Sequence, residues 1–241
     1  MPPDLQVIIN KFSPFLMEVK KRLFFTASIF AIGTIGGFAY YEKIIKFLVD
    51  ILSLKGINIV FTSPFQFINL AISCGLVSGL VVAFPLIIAQ LVSFLKPALR
   101  PKEYRMLVDL LPFSIFLFLI GFTFGAVIMK WQIEIFLAKS VTLGIGNILD
   151  ITHLLTTVIL TSALMGVAFQ FPIILLILLR LGIVKHSVLT KQRPWVLLGS
   201  LIFAMLLPPD SILADFILTL PLVILFEVTL LLSRNSRKEG D

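Results

Sequence analysis

Residues 56–95 read GINIVFTSPFQFINLAISCGLVSGLVVAFPLIIAQLVSFL, forty residues without one charged side chain. One membrane-spanning helix needs about 20 apolar residues, so this stretch must hold a span and part of a loop. Ser63-Pro64 supplies the break, because serine caps helices well and proline suits the first helical turn. The helix is therefore predicted over 64–95, with a kink at Pro85, which has no N–H to give to the helical ladder.

The same reading extends in both directions. Upstream, Leu23 to Tyr41 runs 19 residues without a charge. That is too long for a signal-peptide core, and no small-x-small cleavage pattern follows, so a retained first span is expected at 23–41. Downstream, uncharged runs predict spans at 110–129, 154–179 (with Pro172 inside), 194–209 and 216–233. Sixteen residues cover only about 24 Å, short of a hydrocarbon core of about 30 Å. The last two spans should therefore thin the bilayer or lie against protein. Composition agrees. The chain has 241 residues, 59 % hydrophobic and 14 % charged, with a mean hydropathy of +1.07; soluble domains sit near 45–50 % and about 25 %. This excludes a soluble enzyme and a disordered chain, and the 14 glycines follow no fibrous period. The expected fold is an all-α polytopic membrane protein of six transmembrane helices. It forms a single integral domain over 1–241, with an amphipathic N-terminal segment over 1–22 and a tail over 234–241.

Basic residues give the orientation. The N-terminal tail, the second loop, the fourth loop and the C-terminal tail hold 15 of the 20 Lys and Arg, and the opposite loops hold 5. The positive-inside rule places both termini in the cytoplasm. The net charge of +7 thus marks a membrane face and implies no nucleic-acid partner. One cysteine, Cys74, allows no internal disulfide, and His153 and His186 stand too far apart for zinc or haem spacing. There is no Walker loop, dinucleotide-binding glycine pattern, H-E-x-x-H or nucleophile elbow. Neither a cofactor nor an enzyme activity is expected.

The candidates for function are polar groups in or beside the membrane. Glu18 lies on an amphipathic segment (Phe12, Phe15, Leu16, Val19, Leu23) whose start is expected at Ser13-Pro14. It is placed to pair with Arg22 at i, i+4. Glu103 falls in the first turn of the third helix if Pro101 opens it, where the helix dipole favours a carboxylate. Alternatively, Glu18 and Glu103 form one anionic site at the cytoplasmic boundary, suited to guanidinium groups. Glu227 lies roughly 10 Å inside the sixth span, bonded to another helix or to a partner. Gln170 lies near mid-membrane, where its amide must find partners inside the bundle or in a wet cavity. Asp210 reads as an outer turn residue or a functional carboxylate, and His153 as an interfacial residue.

Taken together these positions resemble the TatC family, the core subunit of the twin-arginine protein translocase. Phe15 through Leu23 resembles its H-L-x-E-L-R-x-R-L opening, and Ser63-Pro64-Phe65 its S-P-F. Phe94 through Arg105 resembles F-x-x-P-A-L-x-x-x-E-x-R, and Phe169 through Pro172 resembles F-E-x-P. Lys191 through Trp195 resembles K-x-R-P-Y, Leu206 through Asp210 resembles L-x-P-P-D, and Pro221 through Glu227 resembles P-x-x-x-x-x-E. The resemblance implies a concave, glove-like bundle that recognises twin-arginine signal peptides on folded cargo and uses the proton-motive force. It implies that Glu18 and Glu103 contact the paired arginines, with Lys20, Arg22, Phe94 and Arg105 around them. Further implied are small helical partners of the TatA and TatB type, TatB against the fifth helix, and self-association in the receptor complex. The expected location is the cell inner (plasma) membrane or an organellar membrane. Phe15 stands in place of a histidine, Lys20 of an arginine and Gln170 of a glutamate, and a proline of the first outer loop has no counterpart. A protonatable group at position 170 is therefore not essential here. A proton-coupled secondary transporter would need ionisable groups near the midplane, and only Glu227 qualifies. A membrane scaffold or assembly factor would need only packing surfaces.

Overall fold

A computed structural model of the chain describes residues 3–52, 58–60, 63–96, 99, 101–143, 148–180, 182–184, 186–208 and 211–238. Helix α1 covers Pro3–Ala39. It begins ten residues before Ser13-Pro14 and carries the amphipathic segment into the first span without a break. After Tyr40, helix α2 (Tyr41–Ile51) turns its apolar face (Ile44, Ile45, Leu48) to the core and leaves Glu42, Lys43 and Lys46 outside it. Such a face pattern, polar on one side only, suits a helix at the membrane boundary. A three-residue strand β1 (Asn58–Val60) pairs in parallel with β2 (Ile148–Asp150), Asn58 opposite Ile148 and Val60 opposite Asp150.

Helix α3 covers Gln66–Leu95. Ser63-Pro64-Phe65 forms a turn closed by the Gln66 N–H on the Ser63 carbonyl at 3.2 Å, so the helix starts two residues later than the expected Pro64 and Phe65 stands at its cap. Helix α4 opens at Pro101 and continues for 42 residues to Thr142. Its apolar part, 107–140, is long enough to cross a membrane. Helices α5 (Ile151–Ala168) and α6 (Phe171–Arg180) replace the single helix expected over 154–179. The break at Phe169-Gln170 follows from Pro172, which offers no N–H to the carbonyl four residues earlier. A short α7 (His186–Lys191) leads to α8 (Arg193–Met205) and α9 (Ile212–Lys238). Thirteen residues give α8 a length of about 20 Å, below the hydrocarbon thickness. The α5–α6 pair together with α1, α3, α4 and α9 makes five apolar segments long enough to span, and α8 is the shorter sixth.

Lipid is as apolar as leucine, so helix association in a membrane rests on close fit rather than on burial from water. At Gly79 of α3, an added Cβ would collide with Thr34 Oγ1 and lie 2.7 Å from the Phe30 carbonyl oxygen, both on α1. At Gly125 of α4 it would lie 2.7 Å from the Ser162 Cα of α5. Glycine is what lets these backbones touch. One cluster of buried side chains (Leu70, Cys74, Met129, Leu155, Val158) joins α3, α4 and α5. A second (Val92, Leu107, Leu117, Met165, Phe169, Leu218) extends the core to α9. The apolar surface left outside, including Phe24, Phe25 and Ile32 on α1, is suited to lipid.

Candidate functional site

The Glu18–Arg22 stretch of α1 meets the C-terminal end of α3, which leads within a few residues into α4. The Glu18 carboxylate accepts from the Arg22 guanidinium one turn along α1. Arg22 also donates to the Gln90 carbonyl of α3 at 3.4 Å, and the Thr26 hydroxyl donates to Gln90 Oε1 at 2.5 Å. Helices α1 and α3 are antiparallel, with Gly33 against Gly79 and Gly37 against Cys74. Four residues back along α1 therefore match four residues on along α3, and Glu18 stands level with Phe94. Phe94 is half-buried, while Glu18 and Lys20 are exposed. Five residues connect Leu95 to Pro101, and the Lys96 ammonium lies 5.5 Å from the centre of the Tyr104 ring of α4. This cation–π contact ties the end of α3 to the first turn of α4, where Glu103 precedes Tyr104 and exposed Arg105. The side chain of Glu103 lies outside the described residues, as does Asp210. The local i, i+4 pairing expected of Glu18 is present. The contact with Gln90, which fixes that pair against α3, had no signal in the sequence.

Gln170, 4 % exposed, finds its partners inside the bundle. The Ser114 hydroxyl donates to its Oε1 at 2.6 Å. Its Nε2 donates to the Ser114 carbonyl at 3.2 Å and to the Gly166 carbonyl at 3.4 Å. Its own backbone N–H turns to the Val167 carbonyl at 3.0 Å. The amide side chain thus serves a carbonyl in the last turn of α5 and ties the α5–α6 break to α4. Glu227 of α9 accepts from Arg193 of α8 at 2.9 Å, with both side chains roughly half exposed. The pair joins two neighbouring helices and neutralises the carboxylate. Nearby, a mainly apolar groove of about 380 Å³ is lined by Trp195, Phe203, Phe171 and Leu222.

On the opposite face, Asp150 caps α5. Its Oδ1 accepts from the Thr152 and His153 backbone N–H groups at 2.9 and 3.1 Å, and its Oδ2 accepts from Gln66 Nε2 of α3 at 2.7 Å. The motif of an aspartate just before an apolar helix is legible as an N-cap, and sequence reasoning passed over it. His153 is exposed at this end. Among the described residues no group of three His, Cys, Asp or Glu side chains could hold a metal ion.

Residues 14–221 match the family model described as Sec-independent protein translocase protein (TatC). The chain is similar to the Sec-independent protein translocase protein TatCy of Bacillus subtilis, 31 % identical over 93 % of this chain and 89 % of the relative. It is similar to TatC of Deinococcus radiodurans, 27 % identical over 98 % and 94 % of the two chains. In three dimensions it resembles a crystal structure of the twin-arginine translocase receptor TatC, with a TM-score of 0.81 and 25 % identity over 90 % of this chain and 98 % of that one.

Proposed function

Because the chain belongs to the TatC family of Sec-independent protein translocase proteins, we propose that it is the translocase subunit that receives twin-arginine signal peptides. As a TatC protein it is a multi-pass membrane component of that translocase, and the family is not an enzyme family. Glu103 is the main acceptor for the paired arginines and Glu18 its companion, with Lys20, Arg22, Phe94 and Arg105 forming the surroundings. The observation that supports this reading is the Arg22–Gln90 link, which holds Glu18 level with Phe94, next to the short connection into the Glu103 turn. A carboxylate at each side of that connection suits a pair of guanidinium groups, whose planar fork binds both oxygens of a carboxylate. Lysine, a point charge, makes no such bidentate contact.

The subunit works with TatA- and TatB-type helical partners in the cell inner membrane, associates with copies of itself, and draws on the proton-motive force. The short α8 and the groove at Trp195 favour a TatB-type helix on that side. A proton-coupled small-molecule transporter is disfavoured because Glu227, its one candidate carboxylate, is neutralised by Arg193. The test is signal-peptide affinity for the purified protein with twin-Arg and twin-Lys peptides. Glu103→Gln keeps the shape, removes the charge, and is expected to weaken twin-Arg binding about 10- to 150-fold. Glu18→Gln acts in the same direction and less, since water screens a carboxylate this exposed. Unchanged affinity and an unchanged preference for arginine in both variants would refute the assignment.

A further inference from the structure

Helix α2 follows the first span after a single turn residue, Tyr40. Helix α1 packs antiparallel on α3, with Gly37 against Cys74. Had α2 continued along that axis, Leu52 would stand beyond the start of α3 at Gln66. Instead Leu52 is buried in the cluster that holds Leu70 and Cys74. Helix α2 therefore turns back across the first turns of α3, at the end of the bundle opposite Glu18. It lies at the level where α1 leaves the apolar layer, since the first span ends at Ala39.

At 3.6 residues per turn, the side chains of α2 fall into three faces of roughly equal width. Ile44, Ile45, Leu48 and Val49 pack on the core. Glu42, Lys46 and Asp50, spaced four apart, line an exposed polar edge. Tyr40, at the helix start, forms the third face with Phe47 and Ile51. That face is apolar, yet these side chains are 60, 63 and 45 % exposed. A helix that met only the core and water would be polar here too. The third face follows directly in the chain on Ile32, Ile35 and Phe38, which α1 exposes on its lipid side. Its chemistry is that of a membrane boundary. Tyrosine rings collect at the headgroup level. The Lys43 ammonium lies 5.0 Å from the centre of the Tyr40 ring, so its stem runs along the apolar face while its charge reaches outward. Three side chains in one row are far fewer than the 20–30 residues a side of a stable protein interface. Beside a span already in lipid, the bilayer is the surface that covers them.

We propose that α2 is a bilayer anchor: its Tyr40–Phe47–Ile51 face dips into the leaflet opposite Glu18 and holds that end of α1 at a fixed depth. Helix α1 rests mainly on α3, so the anchor supplies a hold that packing alone does not. Glu42 and Asp50 balance Lys43 and Lys46, so the attraction is apolar insertion and not a preference for anionic headgroups. The proposal needs only a multi-pass membrane protein and does not depend on the roles of Glu18 and Glu103. The test uses the full chain in a Cys74→Ser background, reconstituted into phosphatidylcholine vesicles with and without phosphatidylglycerol. Single nitroxide labels at Glu42→Cys, Lys46→Cys, Phe47→Cys and Ile51→Cys are read for collisions with oxygen, which concentrates in lipid, and with a nickel chelate, which stays in water. The oxygen-to-nickel ratio should be several-fold higher at 47 and 51 than at 42 and 46, in both lipid mixtures. With a label at Ala39→Cys, adding Phe47→Asp should raise nickel collisions as the end of α1 is released, while Phe47→Leu should leave them unchanged. Phe47 lies outside the buried clusters, so neither change should lower the melting temperature in detergent. Labels at 47 and 51 as open to nickel as those at 42 and 46 would mean that α2 stands in water. Immobile labels closed to both reagents would mean that protein covers the face. A pattern seen only with phosphatidylglycerol would mean electrostatic attraction. Each of these results, or an Ala39 label that ignores Phe47→Asp, would overturn the proposal.

Discussion

Replacing Gln170 by leucine removes three hydrogen bonds at once, those with the Ser114 hydroxyl, the Ser114 carbonyl and the Gly166 carbonyl. Interhelical hydrogen bonds in membranes average about 0.6 kcal/mol each, which sets the loss at about 1.2 kcal/mol for the two bonds to Ser114, and the local bond to Gly166 brings it towards about 2 kcal/mol. The groups left behind lead to a similar figure. Ser114 can turn its hydroxyl to its own helix, as Ser162 does. The Gly166 carbonyl has no such remedy, because the Gln170 N–H is committed to Val167, and a stranded buried acceptor costs about 1–3 kcal/mol. A loss of about 2 kcal/mol in a chain of this size corresponds to a fall in melting temperature of roughly 4–8 °C. Gln170→Glu should behave differently. The acid has the amide's shape, and its protonated form keeps a donor for these carbonyls. It then offers one O–H where the amide offered two N–H groups, and the expected loss is below about 1 kcal/mol. The assay is thermal unfolding in mild detergent alongside transport in membranes. If the leucine variant melts and transports like the parent while the glutamate variant fails, the cavity tolerates apolar filling and the reasoning is wrong.

Glycine fit gives a paired prediction within the α1–α3 contact. Gly79→Ala drives a methyl into the Phe30 carbonyl and should destabilise by about 1–3 kcal/mol through overpacking, whereas Gly36→Ala meets nothing within 4 Å and should be neutral or stabilising by up to about 1 kcal/mol. Equal melting temperatures for the two variants would show that the close approach contributes nothing. Asp150→Ala removes the cap of α5 and the tether to Gln66, with an expected loss of about 0.5–2 kcal/mol. Asp150→Asn, which keeps an acceptor for the backbone N–H groups, should recover most of it in the same unfolding measurement.

The solvent in which each segment lives was legible from the residues in order. Hydropathy acts one residue at a time, so the apolar runs and the shortness of the helix at Arg193–Met205 could be read without knowing any neighbour. Local pairs were legible for the same reason: Glu18 and Arg22 are one helical turn apart and need no partner element to meet. The Pro172 break was a local effect too, although a continuous apolar run concealed it. Long-range partners carried no such signal. Gln170 lies 56 residues from Ser114, Glu227 lies 34 residues from Arg193, and Gln66 lies 84 residues from Asp150. Each of these meetings depends on how two helices are rotated and registered against each other. That choice is made by the fit of small residues such as Gly79 and Gly125 against a facing backbone, a property of two surfaces together that neither segment carries alone.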